Sequence, residues 1–164
     1  MSHPTQAPQT AAYRGWRKVG GNRLGRGLFS LAVVARAPYF GTIAPTVTQL
    51  RPGHCEVTAP KWIGVHNHLG TFHAIAACNL AEMAMGMLCE ATVPTTHRWI
   101  PKAMSVAYLR KAETGLRAVA SLSEVPDFET FGDGRDLVVP VQIFDKRGTE
   151  VVHADITTWV TPAG

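Results

Sequence analysis

The stretch Phe72–Val93, FHAIAACNLAEMAMGMLCEATV, decides how this chain is read. It is nearly all apolar and approaches the length of a membrane span. It also contains His73, Asn79, Glu82 and Glu90. A carboxylate near the middle of a lone spanning helix is costly, so the segment is read as the core helix of a globular protein. Thr71 is positioned to cap it and Pro94 to stop it, which gives an expected helix over Phe72–Ala91. A helix apolar nearly all round must be wrapped by something. Its small residues (Ala74, Ala76, Ala77, Ala81, Ala84 and Gly86) let strands approach closely.

Strand-like runs lie on both sides of it. Upstream are Thr42–Leu50 and His54–Ala59, joined by Arg51-Pro52-Gly53. Downstream are Ile100–Arg110, Leu116–Val125, Leu137–Phe144 and Val151–Val160. Glu113-Thr114-Gly115, Gly132-Asp133-Gly134 and Asp145-Lys146-Arg147-Gly148 break these runs, the last as a short hairpin turn. The final run alternates strictly. Val152, Ala154, Ile156, Thr158 and Val160 share one face, and His153, Asp155, Thr157 and Trp159 the other. Leu24, Leu28, Leu31 and Ala35 recur at helical spacing and predict a helix over residues 22–37, ended by Pro38. Residues 1–12 read as a disordered tail. The expected class is α+β: one domain over residues 13–164, a mostly antiparallel sheet around one long central helix, and an additional N-terminal helix.

Composition narrows the function. The 164 residues are enough to bury a core, and 46% hydrophobic content excludes a disordered chain. Three cysteines, Cys55, Cys78 and Cys89, form an odd set without CxxC spacing, which suits a reducing compartment and buried core thiols. No secretory signal is evident, and a cytoplasmic location is expected. Charge is uneven. No acid precedes Glu56, whereas Arg14, Arg17, Lys18, Arg23, Arg26, Arg36 and Arg51 do. A solvated helix face is the simplest reading of that run; an anionic ligand, nucleic acid or membrane surface is the alternative. His66, His68, His73 and His97 have a spacing that would permit a metal site, but no Asp or Cys joins them closely and no H-E-x-x-H occurs, so no metal is expected. Neither a dinucleotide fingerprint nor a G-x-S-x-G elbow is present.

The chemistry-bearing segment is Asn67-His68-Leu69-Gly70-Thr71-Phe72-His73-Ala74, with Glu82 in Leu80-Ala81-Glu82-Met83-Ala84. Here, and across roughly residues 40–160, the chain resembles the hotdog-fold thioesterases, in particular the phenylacetate-pathway thioesterases and related uncharacterised domains. A loop Asn, a His followed by a small residue at a helix start, and an acid nine positions after that His recur in that family. The resemblance implies that Glu82 activates a water or attacks the thioester. It implies that the Ala74 backbone N–H polarises the carbonyl and that Asn67 positions the carbonyl or the water. His73 enters the catalytic set through the same motif. Two departures stand out. Ala74 occupies a position that is usually Gly, and the hydroxyl residue some relatives carry near the next strand is replaced by Pro101-Lys102.

Elementary physics points the same way. Thioester hydrolysis needs a donor for the developing oxyanion and a base for water, and a helix N-terminus supplies unsatisfied N–H groups. A carboxylate enclosed by Leu80, Met83 and Met85 is expected to have a raised pKa. His73 and Glu82 are nine residues apart, roughly 13 Å along a helix and about 180° around it. They cannot serve one carbonyl within one chain. A C2 dimer with antiparallel core helices would bring Ala74 of one copy toward Glu82 of the other. The resemblance likewise implies dimers with interfacial sites, and a tetramer is compatible with it.

The expected activity is therefore hydrolysis of an acyl-coenzyme A or acyl-carrier thioester, with coenzyme A entering only as part of the substrate and no separate cofactor. Gly70 and Thr71, beside the helix start, together with Lys102 and Arg110, make up the expected substrate-binding set; Arg98 and Lys111 are further candidates for the coenzyme's phosphates. The alternative is a non-catalytic binder of acyl chains or acyl thioesters using the same slot. Neither nucleic-acid binding nor membrane insertion is expected.

Overall fold

The computed structural model describes residues 9–164. Three helices, α1 (Ala11–Val19), α2 (Arg23–Arg36) and α3 (Ala74–Thr92), accompany six strands. The strands are β1 (Thr46–Arg51), β2 (His54–Ala59), β3 (His97–Tyr108), β4 (Leu116–Ser121), β5 (Arg135–Phe144) and β6 (Glu150–Pro162). They form one antiparallel sheet in the order β1-β2-β4-β5-β6-β3. This is the α+β architecture expected from the sequence, with α3 lying along the sheet's inner face.

The packing follows from side-chain size. Leu80, Met83, Met85 and Leu88 of α3 are fully buried. They share a core with Val57, Ala118, Ala120, Val139, Val141, Ile143, Ala154 and Ile156 from the four middle strands. Burying each of the two leucines contributes roughly 1.5–3 kcal/mol. Along β6 the alternation is as read: Val152, Ala154, Ile156, Thr158 and Val160 point inward. By length and composition α3 passes as a membrane span, but 67% of that window is buried inside the protein.

Several boundaries differ from expectation, each for a local reason. The N-cap of α3 is His73, not Thr71; Nδ1 of His73 accepts the Ile75 N–H at 3.1 Å. Phe72 therefore precedes the helix. The expected strand from Thr42 begins only at Thr46, because Pro38 opens a 3-10 turn over Pro38–Ile43 and Ala44 adopts a left-handed φ of 47°. Asn79 of α3 holds that turn, its amide donating to the Thr42 hydroxyl at 3.1 Å. The strand expected to run to Val125 ends at Ser121, after which Leu122 donates to the Gly53 carbonyl. In β3 the register shifts between Pro101 and Ala103, since Pro101 has no N–H to give the ladder.

The N-terminal region carries one helix more than expected. Residues 1–8 of the proposed tail lie outside the described residues, but Ala11 and Ala12 already belong to α1. The Thr10 hydroxyl accepts from Tyr13 N–H and donates to the Glu90 carbonyl at 2.7 Å, which ties α1 to the far end of α3. Trp16 meets Phe29 of α2 edge to face at 5.2 Å. A Cβ on Gly25 would lie 1.8 Å from the Val19 carbonyl oxygen, so only glycine allows α1 and α2 to approach this closely.

Candidate functional site

The loop before α3 is built around Asn67. Its Oδ1 accepts from the N–H groups of Leu69 and Thr71, both at 3.0 Å, and its Nδ2 donates to the Thr71 hydroxyl at 2.8 Å. Gly70 supplies the left-handed residue at the tip, with φ 71°. Both atoms of the Asn67 amide are engaged within its own turn, and the Thr71 hydroxyl with them, so neither residue is aimed at a reacting group. Two backbone bonds fix the helix start: His73 N–H to Val65 C=O at 2.7 Å, and Phe72 N–H to Ala112 C=O at 2.8 Å. Ala74 is the first helical residue and is exposed. As a first-turn N–H it has no acceptor inside the helix, which is what an oxyanion donor requires.

Glu82 is exposed in the single chain, which corrects the expectation of a carboxylate enclosed by Leu80, Met83 and Met85. Those three side chains turn into the core, whereas Ile75, Cys78 and Glu82, at spacings of three and four, form the one stripe of α3 that the sheet does not cover. Among the described residues no hydrogen bond or salt bridge engages Glu82. One chain does not provide the burial that was expected of it.

The open stripe faces β3. Cys78 Sγ lies 3.2 Å from Tyr108 Oη. The hydrogen bond to Cys78 pushes the Tyr108 phenol up to about 12, with burial and the thiol's own charge adding to it. Cys78 is half-buried here rather than a core thiol, unlike Cys55 and Cys89. Burial drives the Cys55 thiol well up, with Glu56 adding. It raises Cys89 to about 12 against a Thr158 hydrogen bond that lowers it. The sequence reading missed the pairing of Cys78 with Tyr108. Its only trace in the sequence was Cys78 standing four residues before Glu82.

The expected phosphate-binding residues separate into two places. Lys102 is committed elsewhere: both oxygens of Asp136 accept from Nζ at 3.0 Å, and Nζ sits 5.2 Å from the centre of the Trp159 ring on the sheet's outer face. Arg110 and Lys111 lie in the β3–β4 loop two and one residues before Ala112, whose carbonyl holds Phe72 at the start of α3. With Arg147, Asp145, Thr149 and Val151 they line a cleft of 330 Å³. Arg147 pairs with Asp145 at 3.0 Å and Glu113 at 3.3 Å, leaving Arg110 and Lys111 as the cations without an ion-pair partner in that cleft. A larger cleft of 590 Å³, between the ends of β1, β2 and β4, contains none of the expected site residues. Gly70, Thr71, His73 and Ala74 thus gather around the amino end of α3, Arg110 donates to the Glu150 carbonyl at 3.3 Å, and Glu82 stands more than two turns along the same helix.

Comparisons with known proteins fit this architecture. The model of a family described as a domain of unknown function, DUF4442, matches residues 25–160. No curated protein matches the sequence. A structural-genomics protein of known crystal structure, APC5556, is 41% identical, with a TM-score of 0.80 over 93% of this chain and 99% of that one. A Pseudomonas aeruginosa protein of unknown function, called a probable thioesterase, is 22% identical, with a TM-score of 0.71 over 77% of this chain and 88% of its own. A Staphylococcus aureus thioesterase is 16% identical, with a TM-score of 0.65 over 76% and 98%. The last two share the fold at an identity too low to carry more than the fold. With its sheet wrapped on one central helix, the chain belongs to the DUF4442 family and has the hotdog fold that it shares with these thioesterase-named structures.

Proposed function

We propose that this protein hydrolyses an acyl thioester, of coenzyme A or of an acyl carrier, at a site completed by two copies of the chain. The observation that carries the reading is the uncovered stripe of α3, where Glu82 is free of partners next to an equally uncovered strand, β3. A second copy set on that side, its core helix antiparallel to the first, brings the exposed amino end of one α3 to Glu82 of the other. It also covers Ile75 and Tyr108, and it encloses Glu82.

In that arrangement the Ala74 N–H donates to the thioester carbonyl oxygen and holds the charge that develops there. Glu82 takes a proton from a water as the water's oxygen bonds to the carbonyl carbon. The carbon–sulfur bond then breaks, and the thiolate leaves with the proton that Glu82 returns. Arg110 and Lys111, near the same helix start, are the cations available to a carrier's phosphates. His73 caps the helix through Nδ1 and acts by positioning Ala74.

The competing reading, a binder without turnover, draws on Asn67, whose amide is engaged in its own turn and so is not available to orient water. A thiol-release assay over acyl-coenzyme A substrates of increasing chain length separates the two. Hydrolysis by the wild type and a loss of about 10²–10⁴-fold in kcat for Glu82→Ala, with KM little changed, are expected of a general base. Equal turnover in the variant removes Glu82 from the chemistry. Tight binding with no turnover of any substrate favours the binder.

A further inference from the structure

Helix α2 is amphipathic in the reverse sense. Gly25, Phe29 and Ser30 face the protein, with Val33 packed against the core. Leu24, Leu28 and Leu31 face away and are 75%, 57% and 65% exposed. With exposed Ala35, these four positions fall within about 60° of arc and run roughly 16 Å along the helix. A solvated surface helix places polar side chains on that line. Here the line is a continuous apolar ridge, of the kind that marks an interaction surface.

Its surroundings are basic. Arg23 and Arg36 are exposed at the two ends of α2, and Arg14, Arg17 and Lys18 are exposed on α1, which packs beside it. From Ala11 to Ile43 there is not one acidic residue. Tyr39, exposed just past the end of α2, adds an amphipathic aromatic ring.

The pairing under "Proposed function" does not cover this ridge. α2 lies against β1, at the opposite edge of the sheet from β3 and five strand spacings, roughly 24 Å, away. Two copies meeting ridge to ridge would bring like charges together, which opposes self-association there. Neither cleft described above includes a residue of α2, and the three leucines stand well out from the surface. A protruding apolar line flanked by arginines suits a deformable anionic phase that closes around it.

We infer that α2 lies in the interface of an anionic lipid membrane, its Leu24–Leu28–Leu31 ridge sunk among the acyl chains and Arg23 and Arg36 at the phosphate level. The attachment is peripheral: no helix crosses the bilayer, and α3 stays in the core. The inference is independent of the hydrolase reading, because it is tested without substrate.

The test is co-sedimentation of the full chain with vesicles of phosphatidylcholine alone and of phosphatidylcholine mixed with phosphatidylglycerol. Two variants accompany the wild type, Leu24→Gln/Leu28→Gln/Leu31→Gln and Arg23→Gln/Arg36→Gln. All five side chains are exposed, so both variants are expected to melt as the wild type does. Binding to the mixed vesicles only, weakened by salt and reduced about ten-fold or more in each variant, is expected if the ridge inserts and the arginines hold phosphate. Three results overturn the proposal. One is no binding of the wild type to mixed vesicles. Another is binding by the leucine variant equal to wild type, which leaves charge alone as the cause. The third is a wild-type oligomer that the leucine variant reduces in size, which makes a second copy the occupant of the ridge.

Discussion

At the β1 edge of the sheet, the Ser30 hydroxyl of α2 accepts the Val47 N–H at 2.8 Å and donates to the Arg26 carbonyl at 2.7 Å. At the opposite edge, β3 runs for twelve residues with no element beyond it among the described residues, and no residue along it is fully buried. An unpaired strand edge is a template for pairing with another chain, and proteins normally blunt it with charge, shortness or a covering element. The β1 edge is blunted within the chain, by a side chain chosen from a helix for that purpose. The β3 edge is long, carries one bulge at Pro101, and stands beside the only uncovered stripe of α3. The contrast locates where this fold covers its own edge and where it leaves one bare for the second copy proposed above. It also puts Glu82 on the bare side.

The larger stability effect is expected at the covered edge. Ser30→Ala removes the acceptor of a buried backbone N–H and leaves nothing in its place, at a cost of about 1–3 kcal/mol. Urea unfolding followed by circular dichroism measures it, with Ala32→Ser on the exposed side of the same helix as the control. A loss within a few tenths of a kcal/mol would mean that water replaces the hydroxyl and that the β1 edge is less sealed than its geometry implies. At the bare edge, the exposed Ser105→Lys places a like-charged pair across a β3–β3 interface and is expected to weaken pairing by up to about 1 kcal/mol, or five-fold in the dimer Kd. Sedimentation equilibrium reads this directly. A chain that is monomeric before the substitution ends the proposal of a shared site.

The difference between the edges also explains what the sequence made legible. Core placement could be read, because period-two alternation in β6 and the apolar run of α3 report burial within one chain. The antiparallel sheet around one helix and the strand count followed from those patterns, and the hotdog fold from the family resemblance. α1 went unread although Thr10, Tyr13 and Trp16 carry cap and spacing signals, because a polar, proline-containing start resembles a tail. The cap of α3 was assigned to Thr71 because a hydroxyl is the usual choice, but Asn67 had already engaged that hydroxyl, and an imidazole took the place. The exposure of Glu82 was beyond pattern reading. An apolar neighbourhood in sequence looks the same whether one residue in four points into the core or toward a missing partner. Likewise, the leucines of α2 gave the helix correctly but not its orientation, since periodicity identifies a stripe and not which side of the helix meets the protein.

The smallest expected effect lies at the junction of the bare edge with α3. Tyr108 is raised to about 12 chiefly because its hydroxyl hydrogen-bonds to Cys78, so its neutral form is favoured in the folded state. The sign follows from linkage. The stability this contributes is complete below the unfolded phenol value of about 10 and is lost as pH rises through about 12. Cys78→Ala removes the hydrogen bond, and the phenol is expected to titrate closer to about 10, visible as a phenolate difference spectrum against the wild type. The other two tyrosines, Tyr13 and Tyr39, cancel in that difference. Unchanged titration in Cys78→Ala would mean that the contact does not form in solution. The same titration sharpens the contrast between the edges. A second chain over β3 adds burial to Tyr108 and moves it upward, so Ser105→Lys, by opening the interface, should move it back down, whereas in a chain whose β3 edge is always bare that substitution leaves the titration unmoved.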